Sequence, residues 1–124
     1  MRDPRTPVRL RWLGIAASAV VAAAISVLTL MPAQELPSAP GGDKLHHFLA
    51  FSALVLPVVA VRPRNALWAV PLAIAYGGMI ELIQPQVGRQ GDWADALANA
   101  LGALIGAALG WGLHRLGRLI WFRR

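Results

Sequence analysis

The side chains able to bind ions, hold hydrogen bonds or move protons gather near the ends of apolar runs. They are His46, His47, Glu81, Gln84, Asp92, Asp95 and Asn99, with Asp43, Lys44 and Arg89 beside them. Asp43 and His47 are four residues apart and so share one face of a helix. Glu81 and Gln84 are three apart. Asp92, Asp95, Asn99, Gly102, Gly106 and Gly110 follow one another by three or four residues, which makes one stripe, polar at its start and glycine-lined beyond. An imidazole beside Glu81 or Asp43, with Asp92 or Asp95 as a second carboxylate, is the material of general acid–base catalysis. His47, Glu81 and Asp92 are therefore the catalytic candidates. Lys44 and Arg89 suit a phosphate group, the arginine bidentately. His47, Glu81 and an aspartate are also metal-ligand types, but no H-E-x-x-H or comparable spacing is present, so neither a metal site nor a cofactor is expected.

The elements that must position these groups follow from composition. The 124 residues are 56% hydrophobic and 15% charged, and there is no cysteine. One domain of this size cannot cover so much apolar surface with so few polar residues in water. Thiol chemistry and disulfides are excluded. A bilayer-spanning helix needs about 20 apolar residues, and four runs qualify, near 12–31, 45–61, 66–84 and 96–113. Between them lie a Pro/Gly-rich segment from Pro32 to Gly42, a tight Arg62-Pro63-Arg64-Asn65 turn, and a polar loop from Pro85 to Asp95.

The net charge of +6 does not point to nucleic acid, because the basic residues flank apolar runs instead of lining one amphipathic face. With four spans, Arg2, Arg5, Arg9, Arg11, Arg62, Arg64, Arg115, Arg118, Arg123 and Arg124 fall on one side. Only Lys44 and Arg89 fall on the other, among Glu35, Asp43, Asp92 and Asp95. That asymmetry predicts a four-transmembrane-helix bundle, all-α, with both termini cytoplasmic and Trp12, Trp111 and Trp121 at the inner interface, Trp93 at the outer. The first run is too long for a secretory signal and no A-x-A site follows it. The polar residues of spans two, three and four then meet at one depth, on the extracytoplasmic side.

Simpler readings stand beside the functional ones. The glycine stripe, with Gly77 and Gly78 on span three, serves close helix packing. Asp95 is placed to cap span four, and Asp92 to pair with Arg89 in an exposed loop. His46 points away from His47 towards the interface, and His114 lies among the terminal arginines as a solvated residue. Glu81 is one turn inside its span, where an ionised acid needs a partner such as His47, Lys44 or Arg89, or else a proton.

The blocks Asp43-Lys44-Leu45-His46-His47-Phe48, Glu81-Leu82-Ile83-Gln84, Arg89-Gln90-Gly91-Asp92-Trp93-Ala94-Asp95 and Asn99-Ala100-Leu101-Gly102 resemble the VanZ-like family, whose pattern reads D-K-x-x-H-F, E-x-x-Q, R-x-x-D-x-x-D, N-x-x-G. The likeness extends over about residues 12 to 113. It implies a bacterial inner-membrane protein, a link to teicoplanin resistance, and Asp43, Lys44, His47, Glu81, Gln84, Arg89, Asp92, Asp95 and Asn99 as the residues of its site. The expected function is recognition of an anionic envelope lipid or lipid-linked cell-wall precursor. The alternatives are a membrane-embedded hydrolase or transferase acting on such a headgroup, and a non-catalytic partner. In the last case the glycine faces (Gly77, Gly78, Gly102, Gly106, Gly110) would dock a second copy or a larger membrane enzyme.

Overall fold

The computed structural model describes residues 6–35 and 41–122; Arg2, Arg5, Arg123 and Arg124 lie outside these, as do the middle of the Pro32–Gly42 segment and the side chain of Trp121. Four helices follow one another up and down: α1 (Val8–Leu30), α2 (Asp43–Val61), α3 (Ala66–Ile83) and α4 (Trp93–Phe122). All four are long and apolar enough to cross a membrane. The fourth continues well beyond the expected end near residue 113, carrying Arg115 and Arg118 on the same helix. There the Arg115 guanidinium stacks 4.8 Å from the Trp111 ring. Short 3-10 turns at Ala33–Glu35, Pro63–Asn65 and Gln84–Val87 complete the described chain.

α2 is the hub, packing on each of the other three helices and most extensively on α4, while α1 and α4 do not meet. The glycine stripe explains the intimacy of that pair. A Cβ on Gly102 would collide with the carbonyl oxygen of Phe48, one on Gly106 with that of Ser52, and one on Gly110 with that of Leu56. Both helices thus step by four residues along the shared seam, so one register serves its whole length. Ser52 sits in the seam and donates to Phe48 O at 2.9 Å and Gly102 O at 3.0 Å. Without water in the surroundings, such close backbone approach is the main source of helix association. Gly77 also packs inward, against Asn99 and Phe51, whereas Gly78 has open space around it. The glycine face of α4 is therefore covered by α2 of the same chain.

α1 is held from the side. Gly14 lies against Val61 and Pro57 of α2. Tyr76 of α3 donates to Ala22 O at 2.9 Å and shares a 2.5 Å hydrogen bond with Ser26. Between these attachments α1, α2 and α3 leave an apolar groove of about 420 Å³, lined by Ala19, Leu54, Trp68 and Leu72 among others. It lies away from the polar blocks.

Helix ends in an apolar surround must satisfy their last carbonyls. At the C-terminus of α2, Asn65 Nδ2 donates to Val58 O at 3.0 Å and His114 Nδ1 to Ala60 O at 2.9 Å. His114 is thus a half-buried cap across helices and not the solvated residue its arginine neighbours suggest.

Replacing Gly106 with leucine should lower the stability of the purified protein by about 1–3 kcal/mol or more through overpacking. Gly78→Ala should leave it unchanged or raise it slightly, as glycine is the poorer helix former. Denaturant titration of both variants in detergent checks the pair; equal effects would contradict the assigned seam.

Candidate functional site

The N-termini of α2 and α4 lie side by side at the end of the bundle where α3 finishes. This follows from the glycine seam, which brings residue 48 to residue 102 and so carries residues 43–47 to residues 92–99. Gly91 makes a second close approach: a Cβ there would overlap the Glu81 carbonyl. That contact delivers the backbone N–H of Asp92 to Glu81 Oε2 at 2.9 Å.

His47 is the centre of the cluster, with its side chain 6% exposed. Its Nδ1 donates to Asn99 Oδ1 at 2.8 Å, an arrangement that in the neutral tautomer puts the lone pair on Nε2. Nε2 lies 3.9 Å from Asp43 Oδ2 and 3.9 Å from Asp95 Oδ2, too far for a hydrogen bond to either. Glu81 Oε1 stands 4.0 Å from Nδ1, and this buried oxygen makes no hydrogen bond. The notional ligand atoms of Asp43, His47 and Asp95 all fall within 4.8 Å of one another. Linear spacing does not reveal this grouping, because Asp95 comes from another helix.

Lys44 closes the outer face. Its Nζ is 3.2 Å from Asp92 Oδ2 and 3.5 Å from Asp95 Oδ1. Asp92, not Asp95, caps α4: its Oδ1 accepts from the N–H of Ala94 at 2.9 Å. Asp95 lies inside the first turn, buried, its Oδ1 without a hydrogen bond. The Ala94 N–H, followed by Lys44, holds the Asp92 carboxyl below its ordinary value of 3.8. Asp92 pairs with Lys44, so the expected pairing with Arg89 is replaced.

Arg89 and Gln84 do not join the cluster. Gly88, at φ +76°, ends the turn after α3 and redirects the chain, so that Arg89 donates to Leu28 O at 3.1 Å and Thr29 O at 3.2 Å. Gln84, fully buried, donates to Thr29 O at 3.2 Å. Both act as caps on the C-terminus of α1, where a cation also complements the helix dipole. His46 is half-buried beside Gly41. The cluster proper is thus Asp43, Lys44, His47, Glu81, Asp92, Asp95 and Asn99. The close-approach residue Gly91 and the seam serine Ser52 had no assigned role in the sequence; a lone serine in an apolar run and a glycine inside a polar block were the available signals.

A family model described as VanZ/LLP1 matches residues 8–115. The chain belongs to the VanZ/LLP1 family. The matched region takes in the first three helices, α4 as far as residue 115, and every member of the cluster. No curated protein and no solved structure matches the chain.

Two outcomes follow for this family member. Arg89→Ala should destabilise the docking of α1 by about 1.5–3 kcal/mol, the worth of hydrogen bonds from a charged donor. Hydrogen exchange should show that loss as faster exchange confined to α1. Asp92, whose folded-state pKa is depressed, contributes stability that is fully present above the unfolded value near 3.8. It is lost as pH falls through the lower folded value. The acid limb of the unfolding curve should therefore be shallower in Asp92→Asn, and an unchanged limb would rule this assignment out.

Proposed function

We propose that this protein recognises the headgroup of an envelope lipid or lipid-linked cell-wall precursor at the polar end of the bundle. In this reading the protein lies in the bacterial inner membrane with its termini cytoplasmic and the cluster facing outward. One observation carries it: a buried polar group drawn from three helices opens at one end of the bundle through Asp43, Lys44 and Asp92, whose side chains are 50–59% exposed. Polar groups at such depth in a span are expensive and mark sites of function. With Arg89 engaged on α1, the anionic part of a headgroup falls to Lys44, and Asp43 and Asp92 accept from its hydroxyl, amide or amine groups. The positive ends of α2 and α4 add to the attraction for phosphate. A link to teicoplanin resistance fits, since that glycopeptide binds cell-wall precursors outside the membrane and a protein that shields them there lowers drug binding.

A second reading, hydrolysis or transfer at the same headgroup, is favoured by the anchoring of His47. With Nδ1 held by Asn99, Nε2 is oriented as a general base that would take a proton from water or a hydroxyl. Incubation of purified protein with lipid-linked precursor decides between them. Released phosphate or altered headgroup, abolished in His47→Ala, supports turnover; binding without product supports recognition alone.

For recognition, Lys44→Ala should reduce retention of phosphatidylglycerol in native mass spectrometry by on the order of ten-fold, as expected for loss of one charge-assisted contact. Arg89→Ala should leave retention near the wild-type level once folding is verified. Equal retention in wild type and Lys44→Ala would refute the assignment.

A further inference from the structure

We infer that Asp43, His47 and Asp95 form a binding site for a divalent transition-metal ion of the zinc class, with Asn99 as its positioning residue. The inference does not rest on the lipid reading and is tested without lipid.

The donor set comes first. One imidazole nitrogen and two carboxylate oxygens converge on one point, Nε2 of His47 lying 3.9 Å from an oxygen of each aspartate. Two donors about 2.1 Å from zinc at tetrahedral angles stand roughly 3.5 Å apart. Closing around an ion therefore shortens the two His47–aspartate distances by a few tenths of an ångström, and draws together the two aspartate oxygens, which lie within 4.8 Å of each other. Asp43, at 59% exposure, has the freedom to make it. The i,i+4 placement of Asp43 and His47 on α2 presents both from one face, and Asp95 completes the set from α4.

The second observation points to a ligand independently of the acidic grouping. The Asp95 side chain is 5% exposed, yet its carboxylate makes no hydrogen bond with Oδ1, and Oδ2 faces the His47 lone pair. At 3.9 Å the carboxylate oxygen and the ring nitrogen make no hydrogen bond to each other, which leaves the space between them to a third group. A cation between them turns both into ligands. Lys44 does not fill this position, because it lies on the Oδ1 side of Asp95, 3.5 Å away.

The supporting contact is the third element. Metal-bound histidines donate their other ring N–H to a fixed acceptor, which sets the tautomer and the ring orientation. Asn99 Oδ1 does this for Nδ1 at 2.8 Å, and Gly77 packs closely against the amide. Nitrogen with carboxylate oxygen suits zinc or manganese better than magnesium or calcium, which prefer oxygen alone. Three protein ligands leave a coordination position open on the Asp43 side, the pattern of sites that bind water or substrate.

The test uses the full chain in detergent, stripped with chelator and titrated with zinc chloride by calorimetry and native mass spectrometry. Wild type should take up one zinc ion per chain, and Glu35→Gln, far from the triad in sequence, should match it. Asp43→Asn changes a half-exposed side chain and should fold normally while weakening zinc binding about 10–100-fold; Asn99→Ala should weaken it over a similar range. His47→Ala with Asp95→Asn should abolish uptake. X-ray absorption of zinc-loaded wild type should show one imidazole among oxygen donors, a readout that needs no variant. No uptake by wild type, uptake unchanged in Asp43→Asn, or a spectrum with two imidazoles would each overturn the inference.

Discussion

The approach of α2 to α4 is the contact on which the rest of the structure depends. Three glycines of α4 meet three main-chain carbonyls of α2 at intervals of four residues, and the absence of a side chain at each lets the backbones touch. Lipid offers no hydrophobic gain for bringing apolar helices together, so packing and polar contacts must supply it. Ser52 adds the polar contact by bridging Phe48 O and Gly102 O. The seam fixes rotation as well as distance. Once residues 48 and 102 are in register, one turn further brings His47 to Asn99 and Asp43 towards Asp95. A side chain at Gly102 would force the helices apart, and a separation of even one ångström breaks the 2.8 Å bond between His47 and Asn99. Packing and site are therefore one constraint.

The polar residues of the chain divide between two tasks, and the divide follows from where helix termini point. N-termini present N–H groups and positive partial charge, so carboxylates collect at α2 and α4: Asp43 in the first turn of one, Asp92 as the cap and Asp95 in the first turn of the other. C-termini present carbonyls and negative partial charge, and there the donors collect: Arg89 and Gln84 on α1, Asn65 and His114 on α2. A soluble bundle would leave most of these groups to water. In an apolar surround each needs a protein partner, which is why a block such as Arg89 to Asp95 serves both α1 and the cluster.

Much of this was legible in the sequence. Helix number, the polar blocks of three helices at one end, and the inward use of Gly77, Gly102, Gly106 and Gly110 all follow from apolar run lengths and from spacings of three and four, because helical geometry repeats on that scale. The partners of individual side chains were not legible. Arg89 and Asp92 are close in sequence and opposite in charge, yet Gly88 turns the chain so that they serve different helices. Asp95 looked like a cap because it is acidic and near the helix start, but the cap is the residue whose carboxylate reaches the N–H two positions on, which is Asp92. His114 stood among arginines, and only the crossing of α4 over the end of α2 shows that it meets Ala60. Gly78 differs from Gly77 by a rotation of about 100° on the helix, enough to turn it from a packed position to an open one. In each case the deciding quantity was the relative rotation of two helices, which one chain's periodicity does not contain.

The electrostatics of the cluster explain why its position at the end of the bundle matters. Of the four carboxylates, Asp92 and Asp95 pair with the ammonium group of Lys44, while Asp43 and Glu81 lie against His47. Two adjoining helix N-termini offset part of the excess, each acting as roughly half a positive charge. Asp92 takes up the Ala94 N–H and the lysine, and Glu81 Oε2 takes up the N–H of Asp92. Asp43 and Asp95 gain least from these donors, and they are the two that flank the lone-pair nitrogen of His47. At the bilayer centre such an imbalance would force protonation or water entry. At the boundary the half-exposed Asp43 and Lys44 keep the buried residues within reach of solution ions and of headgroups. The unbalanced charge is thus confined to the end of the bundle where Asp43, Lys44 and Asp92 are exposed, and what approaches that end meets carboxylates and one lysine before it meets His47. A ligand bearing only negative charge would be repelled by the exposed Asp43 and Asp92 unless a cation came with it. On the proposed reading, a headgroup that pairs a phosphate with hydrogen-bond donors suits the cluster better than a simple anion.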